Sequence, residues 1–579
     1  MKYQDTNQNP VVVVDSLWQY RADNSYYNPP TYITYHPAMY CGDETGAFIG
    51  DIGSHTARFG YGGEDCPKVV VPSAVYKHSP DENNNAGSSQ GNKKRGGAQK
   101  RGKYTAPVSL MNLPPQSCFS LEGDDEKEDC DVGFIPIYQS MNSNNNQTKQ
   151  TGQDYCDGDG VIQDIDAWTS LWEYSFSALT ARGKSKHTVG YQNLEQSHDG
   201  PIDHPLLTVD SSSRIISTNL QEKQKARVLE TLFETLSAPA AYIAPSAMLS
   251  SFANGRQTSL VVDVGHTGSR VTPVVDGYLL HSGSCKSGRG GMWLGDVQRG
   301  VLEGSWKIKG SDGVVNKWNG WKGAPPCQND GVTPRYILHS NTEKLKKSQL
   351  EQLKKSPFHS MAVHEVMYEM MSSTSFQSAG MSSDTSTPFL GYGSVDDNNS
   401  DVTMEDKIED DEDAEDDGPS YVLPDGTKID LAQPAGKDLC RLPQLLLSED
   451  LPSLVQPQTS DANGFASNML PLHKLVHRSL SQILDADLRK ELASNIILTG
   501  SASLFPGLDK TLSIELGKVL PASYKHKVIS SKSTVESRYG AWIGGSILSS
   551  LGSFQQLWLS KKEYEENGAV LGLQRFNNN

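Results

Sequence analysis

Two acidic residues, Asp51 and Asp263, each stand two positions before a glycine at the end of a short apolar run. In "GAFIGDIGSHTARFGYGG" (46–63) Asp51 and Gly53 are followed by Arg58, and in "SLVVDVGHTGSRVTPVVDG" (259–277) Asp263 and Gly265 are followed by Arg270. Each member of the second set lies 212 positions after its counterpart (263 − 51, 265 − 53, 270 − 58). A lone D-x-G is what any β-hairpin can offer; a matched pair one domain-length apart predicts two similar halves. Where a turn is built from Gly and small residues, backbone N–H groups can converge on one point and receive an anion. Two such turns facing each other would hold a polyphosphate. A carboxylate on each suits Mg²⁺, which keeps most of its waters and takes one or two acidic groups beside the phosphates.

Strands and helices must carry these turns. Strands such as "SLVVDV" and "NIILTG" alternate with stretches such as "LQEKQKARVLETLFETL" and "LPLHKLVHRSLSQIL", whose apolar residues recur at three- and four-residue spacing. The class expected is α/β. A third element, "NIILTGSASLFPGL" (495–508), ends a strand in Thr499-Gly500-Ser501. Its small residues suit either the floor under a planar base or a tight strand-to-helix turn. Near the end, Ser560 and Glu563 in "SKKEYEENG" predict a capping box, with Gly568 as terminator.

At 579 residues the chain exceeds what one core can organise, while 36% apolar residues and a mean hydropathy of −0.51 suggest a globular body diluted by polar insertions. Residues 1–40 read as a disordered extension and 78–158 as a polar, low-complexity surface insertion. Within the latter, Lys93-Lys94-Arg95 and Lys100-Arg101 with Lys103 are either a solvated basic loop or a nuclear-import signal. The net charge of −17 is mostly local: between Asp396 and Asp417 thirteen carboxylates face only Lys407, a run that self-repulsion keeps unfolded. "MKYQDTNQNP" leads into no apolar core, and no apolar run approaches the ~20 residues needed to span a bilayer, so a soluble intracellular chain is expected. Eight scattered cysteines with no metal-ligand spacing predict reduced thiols, without zinc or disulfides.

The two hairpins and the glycine loop, in this order, resemble the fold shared by actin, sugar kinases and heat-shock ATPases. "GEDCPKVVVPS" (63–73), "DIDAWTSLWEYSF" (164–176), "DHPLLTVDSS" (203–212), "FANGRQTSLVVDVG" (252–265) and "ESRYGAWIGGSILSSLGSFQQLWLSKKEYEENG" (536–568) are similar to actin itself. "GDETGAFIGDIGS", "SFANGR" and "STVESRYGAWIGGSILSSLG" resemble the nuclear actin-related subunits of chromatin-remodelling and histone-acetyltransferase complexes. The resemblance covers about 47–77, 159–285 and 421–570, while 286–420 matches poorly. It implies two duplicated α/β lobes around a nucleotide cleft. The first lobe is 47–253 with the insertion 78–158, the second 254–538 with an acidic insertion at about 380–420, and 539–579 returns to the first.

Carried onto this sequence, the resemblance implies ATP and Mg²⁺ as ligands. Asp51, Gly53, Ser54 and Arg58 fall on the first phosphate loop and Asp263, Gly265, His266 and Thr267 on the second; Asp51 and Asp263 serve the metal. Gly500, Ser501 and Leu504 fall on the adenosine loop, with Arg538 beside the base. Arg58 and Arg538 stand where actin has lysines, Ser501 replaces a glycine, and His266 replaces an aspartate. Actin's water-positioning glutamine and the histidine near it correspond to Ser246, preceded by Pro245, and to Arg270. Phosphoryl transfer rests on oriented water and charge stabilisation, so losing one polar group there slows turnover by about 10²- to 10³-fold. ATP is therefore expected to be bound with little or no hydrolysis, as a structural ligand.

The same resemblance implies a partner groove at Phe252, Ile547, Leu548, Leu551 and Leu557, with Gly255 and Ser553 leaving room. Such a surface suits a helix laid in a groove; the alternative is that Ile547 and Leu551 are simply core. The implied partners are actin and the helicase-SANT-associated helix of a remodelling motor. The acidic run either draws histones or only solubilises the chain. Neither membrane attachment nor sequence-specific nucleic-acid binding is expected. Residues 78–158 interrupt a filament contact of actin, which points to a non-polymerising nuclear scaffold. The rival expectations are an active actin-like ATPase and a cytoskeletal filament protein.

Overall fold

The computed structural model describes residues 46–78, 160–180, 202–211, 218–308, 347–373, 419–449, 455–457, 469–531 and 533–577, with short pieces between 104 and 138 and between 324 and 345. Residues 1–40, the basic cluster at 93–103 and the acidic run at 396–417 lie outside the described residues.

Chain order gives β1 (Phe48–Ile52), β2 (Thr56–Tyr61), β3 (Val69–Pro72), β4 (Ala74–Lys77), β5 (Tyr104–Thr105), β6 (Phe134–Pro136), β7 (Leu206–Asp210), β8 (Ala240–Pro245), β9 (Ser259–Val264) and β10 (Ser269–Val275). There follow β11 (Tyr278–Leu279), β12 (Cys285–Ser287), β13 (Trp306–Ile308), β14 (Ser420–Val422), β15 (Lys428–Asp430), β16 (Val455–Pro457), β17 (Ile496–Thr499), β18 (Val528–Ser530) and β19 (Leu559–Ser560). Two large sheets result, ordered β19-β8-β7-β1-β2-β3 and β11-β10-β9-β17-β18, with β12 also on β10. In each, an antiparallel hairpin (β1–β2, β9–β10) is followed on one side by two parallel strands (β7 and β8, β17 and β18). Strands β7, β8 and β17 are almost wholly apolar and buried, as strands covered on both faces must be.

Each sheet has its own core. Residues between Leu260 and Leu520 form one. The other, the first core by position along the chain, combines residues between Ala47 and Leu249 with Tyr539, Trp542, Trp558, Leu559 and Phe576. Trp168, Trp172 and Trp542 are fully buried there, each contributing about 1.5–3 kcal/mol or more by leaving water.

The chain passes between the sheets twice, along helices Ser246–Ala253 and Thr534–Ser549. These cross at Gly544, where an added Cβ would come within 1.9 Å of the Leu249 carbonyl oxygen, so any side chain would force the helices apart. The capping box forms as read: Ser560 N donates to Glu563 Oε2 at 2.9 Å and Glu563 N to Ser560 Oγ at 3.3 Å. Gly568, at φ +66°, breaks the helical segment Lys561–Asn577 in two.

The reading of 78–158 as a surface insertion needs correction. Its pieces β5 and β6 pair with β4, and Leu110, Cys118 and Phe134 join Ala74 and Tyr76 in a third apolar cluster. The rest of that cluster comes from the other half of the chain: Tyr336, Leu353, Phe358 and Ala362. Phe134 and Phe358 meet edge to face at 5.2 Å. The poorly matching region likewise belongs to the body, because helices Gly291–Leu302 and Pro357–Ser372 are largely buried. Cys66, Cys118, Cys285, Cys327 and Cys440 are buried free thiols, and among the described helices none is long and apolar enough to cross a membrane.

Candidate functional site

The repeat in the sequence is a repeat in register. Asp51 faces Arg58 across β1–β2 and Asp263 faces Arg270 across β9–β10. The turns close alike: Gly53 N donates to Thr56 O at 3.0 Å, and Gly265 N to Gly268 O at 2.9 Å, again 212 residues apart (265 − 53, 268 − 56). Both turns end at one cavity. The third element reaches it because β17 runs parallel to β9 with Thr499 opposite Asp263. Gly500, at φ +97°, passes so close that an added Cβ would lie 2.5 Å from Asp263 Oδ1, so both its conformation and its space demand glycine.

All twelve residues read as ligand contacts line this cavity: Asp51, Gly53, Ser54, Arg58, Asp263, Gly265, His266, Thr267, Gly500, Ser501, Leu504 and Arg538. Ser246 and Arg270 line it as well. Ser246 opens its helix directly after Pro245, with no side-chain cap.

The charges are arranged differently from the sequence expectation. Arg58, expected on the first phosphate loop, instead donates from Nη1 to Asp51 Oδ2 at 2.7 Å, and its guanidinium lies 5.4 Å from the Tyr539 ring centre. The pairing follows from the ladder, which sets the two residues opposite each other, and from burial of Asp51 at 3% exposure, which makes an unpaired carboxylate unfavourable. Arg58 therefore neutralises one of the two carboxylates while its Nε stays buried without a hydrogen-bond partner. An anionic ligand fits such an orphaned donor. Mg²⁺ fits too, through Asp263 and the second oxygen of Asp51, since it accepts water-mediated carboxylates.

Sequence reasoning missed His55 and the helix Pro357–Ser372. His55 stacks on His266 with ring centres 4.8 Å apart. Tyr368 bonds His266 Nδ1 at 2.5 Å, and His364 Nε2 meets Asp296 Oδ1 at 2.9 Å. Burial, then the positive potential of His364 and Arg58, holds the His55 imidazole down at about 3, hence neutral. For His364 burial pulls the same way, but Asp296 and the Ser360 carbonyl outweigh it and raise the group. The dipeptide His-Thr in both turns (His55-Thr56, His266-Thr267) was the available signal.

The expected groove divides. Ile547, Leu551 and Leu557 are 43%, 48% and 49% exposed, so Ile547 and Leu551 are surface rather than core. Leu548 is the correction: at 9% exposure it belongs to the first core, because it turns inward one position away from Ile547 on the same helix. Phe252 is partly buried against that core, and Gly255 has open space where a side chain would stand.

A duplicated sheet-and-hairpin architecture with two Asp-x-Gly turns on one cavity defines an α/β fold of the actin class. The actin family profile matches residues 42–576, and the chain belongs to the actin family. Within it, the chain is 29% identical over 532 residues to actin-related protein 4 of Oryza sativa subsp. indica, covering 92% of this chain and 98% of that one. It is 28% identical over 539 residues to actin-related protein 4 of Arabidopsis thaliana (92% and 98% covered) and 26% over 547 residues to that of Emericella nidulans (92% and 96%).

Proposed function

We propose that this protein is a non-polymerising nuclear scaffold subunit that holds Mg·ATP as a structural ligand between two lobes. The lobes are bounded as 47–253 and 254–538, with 539–579 returning to the first. The observation that carries the reading is the convergence of two register-identical Asp-x-Gly turns and the Gly500 loop on one cavity. Backbone N–H groups of the turns would receive the phosphates, Gly500, Ser501 and Leu504 would face the base with Arg538 beside it, and Asp263 with Asp51 would hold Mg²⁺ through water. When bound, the metal and the triphosphate supply the charges that draw the turns together.

Ser246 carries no amide or acid with which to orient a water, so hydrolysis is slow or absent. The exposed residues Ile547, Leu551 and Leu557, beside Phe252 and Gly255, offer an apolar surface to a partner helix. With the likeness to actin-related protein 4, this supports placement beside actin and a remodelling motor's helix in chromatin-remodelling or histone-acetyltransferase complexes. The acidic run at 396–417 is offered to histone tails in the same setting.

Gentle purification followed by chromatography of the released nucleotide should recover close to one ATP or ADP per chain, with turnover far below that of conventional actin. Affinity purification from nuclei should return actin and a helicase-class motor in stoichiometric amount. A chain that carries no nucleotide and gains no thermal stability from Mg·ATP refutes the site; turnover matching conventional actin refutes the structural role.

A further inference from the structure

In the site proposed above, the backbone of the two turns receives the phosphates and their imidazole side chains have no task. His55 and His266 project from the two turns, one from each half of the chain, and their rings stack 4.8 Å apart at an interplanar angle of 27°. Both residues line the cavity at which the two turns end.

Their setting fixes what they can offer. The Tyr368 hydroxyl lies 2.5 Å from His266 Nδ1, and burial keeps this phenol protonated by raising it well above its ordinary range. With the hydroxyl as donor to Nδ1, the His266 proton sits on Nε2. Tyr368 also stands edge-on to the His55 ring at 5.2 Å, and one helical turn earlier His364 is fixed by the Ser360 carbonyl at 2.8 Å and by Asp296 at 2.9 Å. His55 Nδ1 is buried with no hydrogen-bond partner. Such a nitrogen asks for a polar group from outside the protein.

We propose that His55 and His266 read the terminal phosphate, donating hydrogen bonds to the third phosphoryl group of a nucleoside triphosphate and so selecting triphosphate over diphosphate, with Tyr368 as the positioning residue for His266. The inference rests on the nucleotide reading of the cavity and sharpens it. Base and ribose contacts fall to Gly500, Leu504 and Arg538, which the imidazoles leave untouched, so selection for phosphate number is separable from affinity for the nucleoside. Hydrogen bonds to a charged acceptor of this kind correspond to about tenfold or more in affinity.

The test measures equilibrium binding of Mg·ATP, Mg·ADP and adenosine to the full chain by calorimetry, for the native protein and for His55→Ala, His55→Gln, His266→Ala and Tyr368→Phe. The native chain should prefer ATP over ADP by about tenfold or more. Each alanine variant should bring that ratio to within about threefold, with ATP affinity falling far more than ADP or adenosine affinity. His55→Gln, which keeps a donor, should restore part of the ratio, and Tyr368→Phe should lower it without touching adenosine. A merely structural role for these residues would move all three ligands together, and that result overturns the proposal. It is equally overturned if both alanine variants keep the native ratio while still binding ATP, which leaves the nucleotide site standing. Failure of the native chain to bind any of the three refutes the underlying site and this inference with it.

Discussion

Replacing Glu365 by glutamine should stabilise the protein at neutral and alkaline pH and change nothing in acid. Glu365 lies on helix Pro357–Ser372 at 7% exposure. Burial, reinforced by the charge of Glu369 and only partly offset by Arg335, pushes its carboxyl from 4.5 up to about 8. Arg335 is committed elsewhere, its Nη2 donating to Glu369 Oε2 at 2.6 Å. Because the folded-state value lies above the unfolded one, the native protein keeps a proton that the unfolded chain releases between pH 4.5 and 8. Stability is therefore fully present below pH 4.5 and is lost as pH rises through this window. At 1.36 kcal/mol per unit, the loss is on the order of 3 kcal/mol at pH 7 and about 5 kcal/mol above pH 8. Glutamine keeps the shape of the neutral acid and has no proton to lose. Urea unfolding followed by tryptophan fluorescence from pH 4.5 to 9 should show the two proteins coincide in acid and separate progressively above it. Parallel curves, or a variant weakened at pH 8, would refute the burial argument.

Three further outcomes are expected. Asp263→Asn should weaken Mg·ATP retention while sparing metal-free ATP, so that chelation, which releases nucleotide from the native chain, has little further effect on the variant; equilibrium dialysis with and without chelator reads this. Phe358→Ala, at a fully buried position of the third cluster, should lower stability by about 3–5 kcal/mol and speed release of a fluorescent ATP analogue in stopped flow, and an unchanged release rate would separate that cluster from access to the cavity. Gly544→Ala should prevent the two crossing helices from meeting and give little folded protein on expression; a variant with native circular dichroism and melting behaviour would contradict the 1.9 Å approach.

Much of the site was legible because its chemistry is local and doubled. Asp51, Gly53, Asp263 and Gly265 announce turns by residue type, and the constant spacing of 212 carries through to the strand register. The capping box of Ser560 and Glu563 was equally readable, since helix starts depend on residues three apart. What stayed hidden depends on packing between distant segments. Nothing near Tyr368 or His364 in sequence points to a turn about a hundred residues earlier. The ion pair of Arg58 with Asp51 needed the ladder to be known before a cation expected for a ligand could be assigned to a carboxylate. In 78–158 the polar composition averages away Tyr104, Leu110 and Phe134, three apolar residues that suffice to anchor short pieces on β4. Ile547 and Leu548 show the same limit, because one step along a helix turns a side chain by about 100° from surface to core.

The first core is assembled from both ends of the chain, and this bears on how the protein is made. Tyr242 on β8 is covered by Phe554, Trp558 and Phe576, and β19 closes the edge of the same strand. Leu249 and Tyr539, the flanking members of that core, stand 290 positions apart (539 − 249), a stretch that a ribosome translates in roughly 15–60 s at about 5–20 residues per second. Throughout that interval the nascent N-terminal half exposes an open strand edge and an aromatic face, the conditions under which chains aggregate. A chain cut short before Phe554 would therefore leave an uncovered strand edge and aromatic face on the half that was translated first.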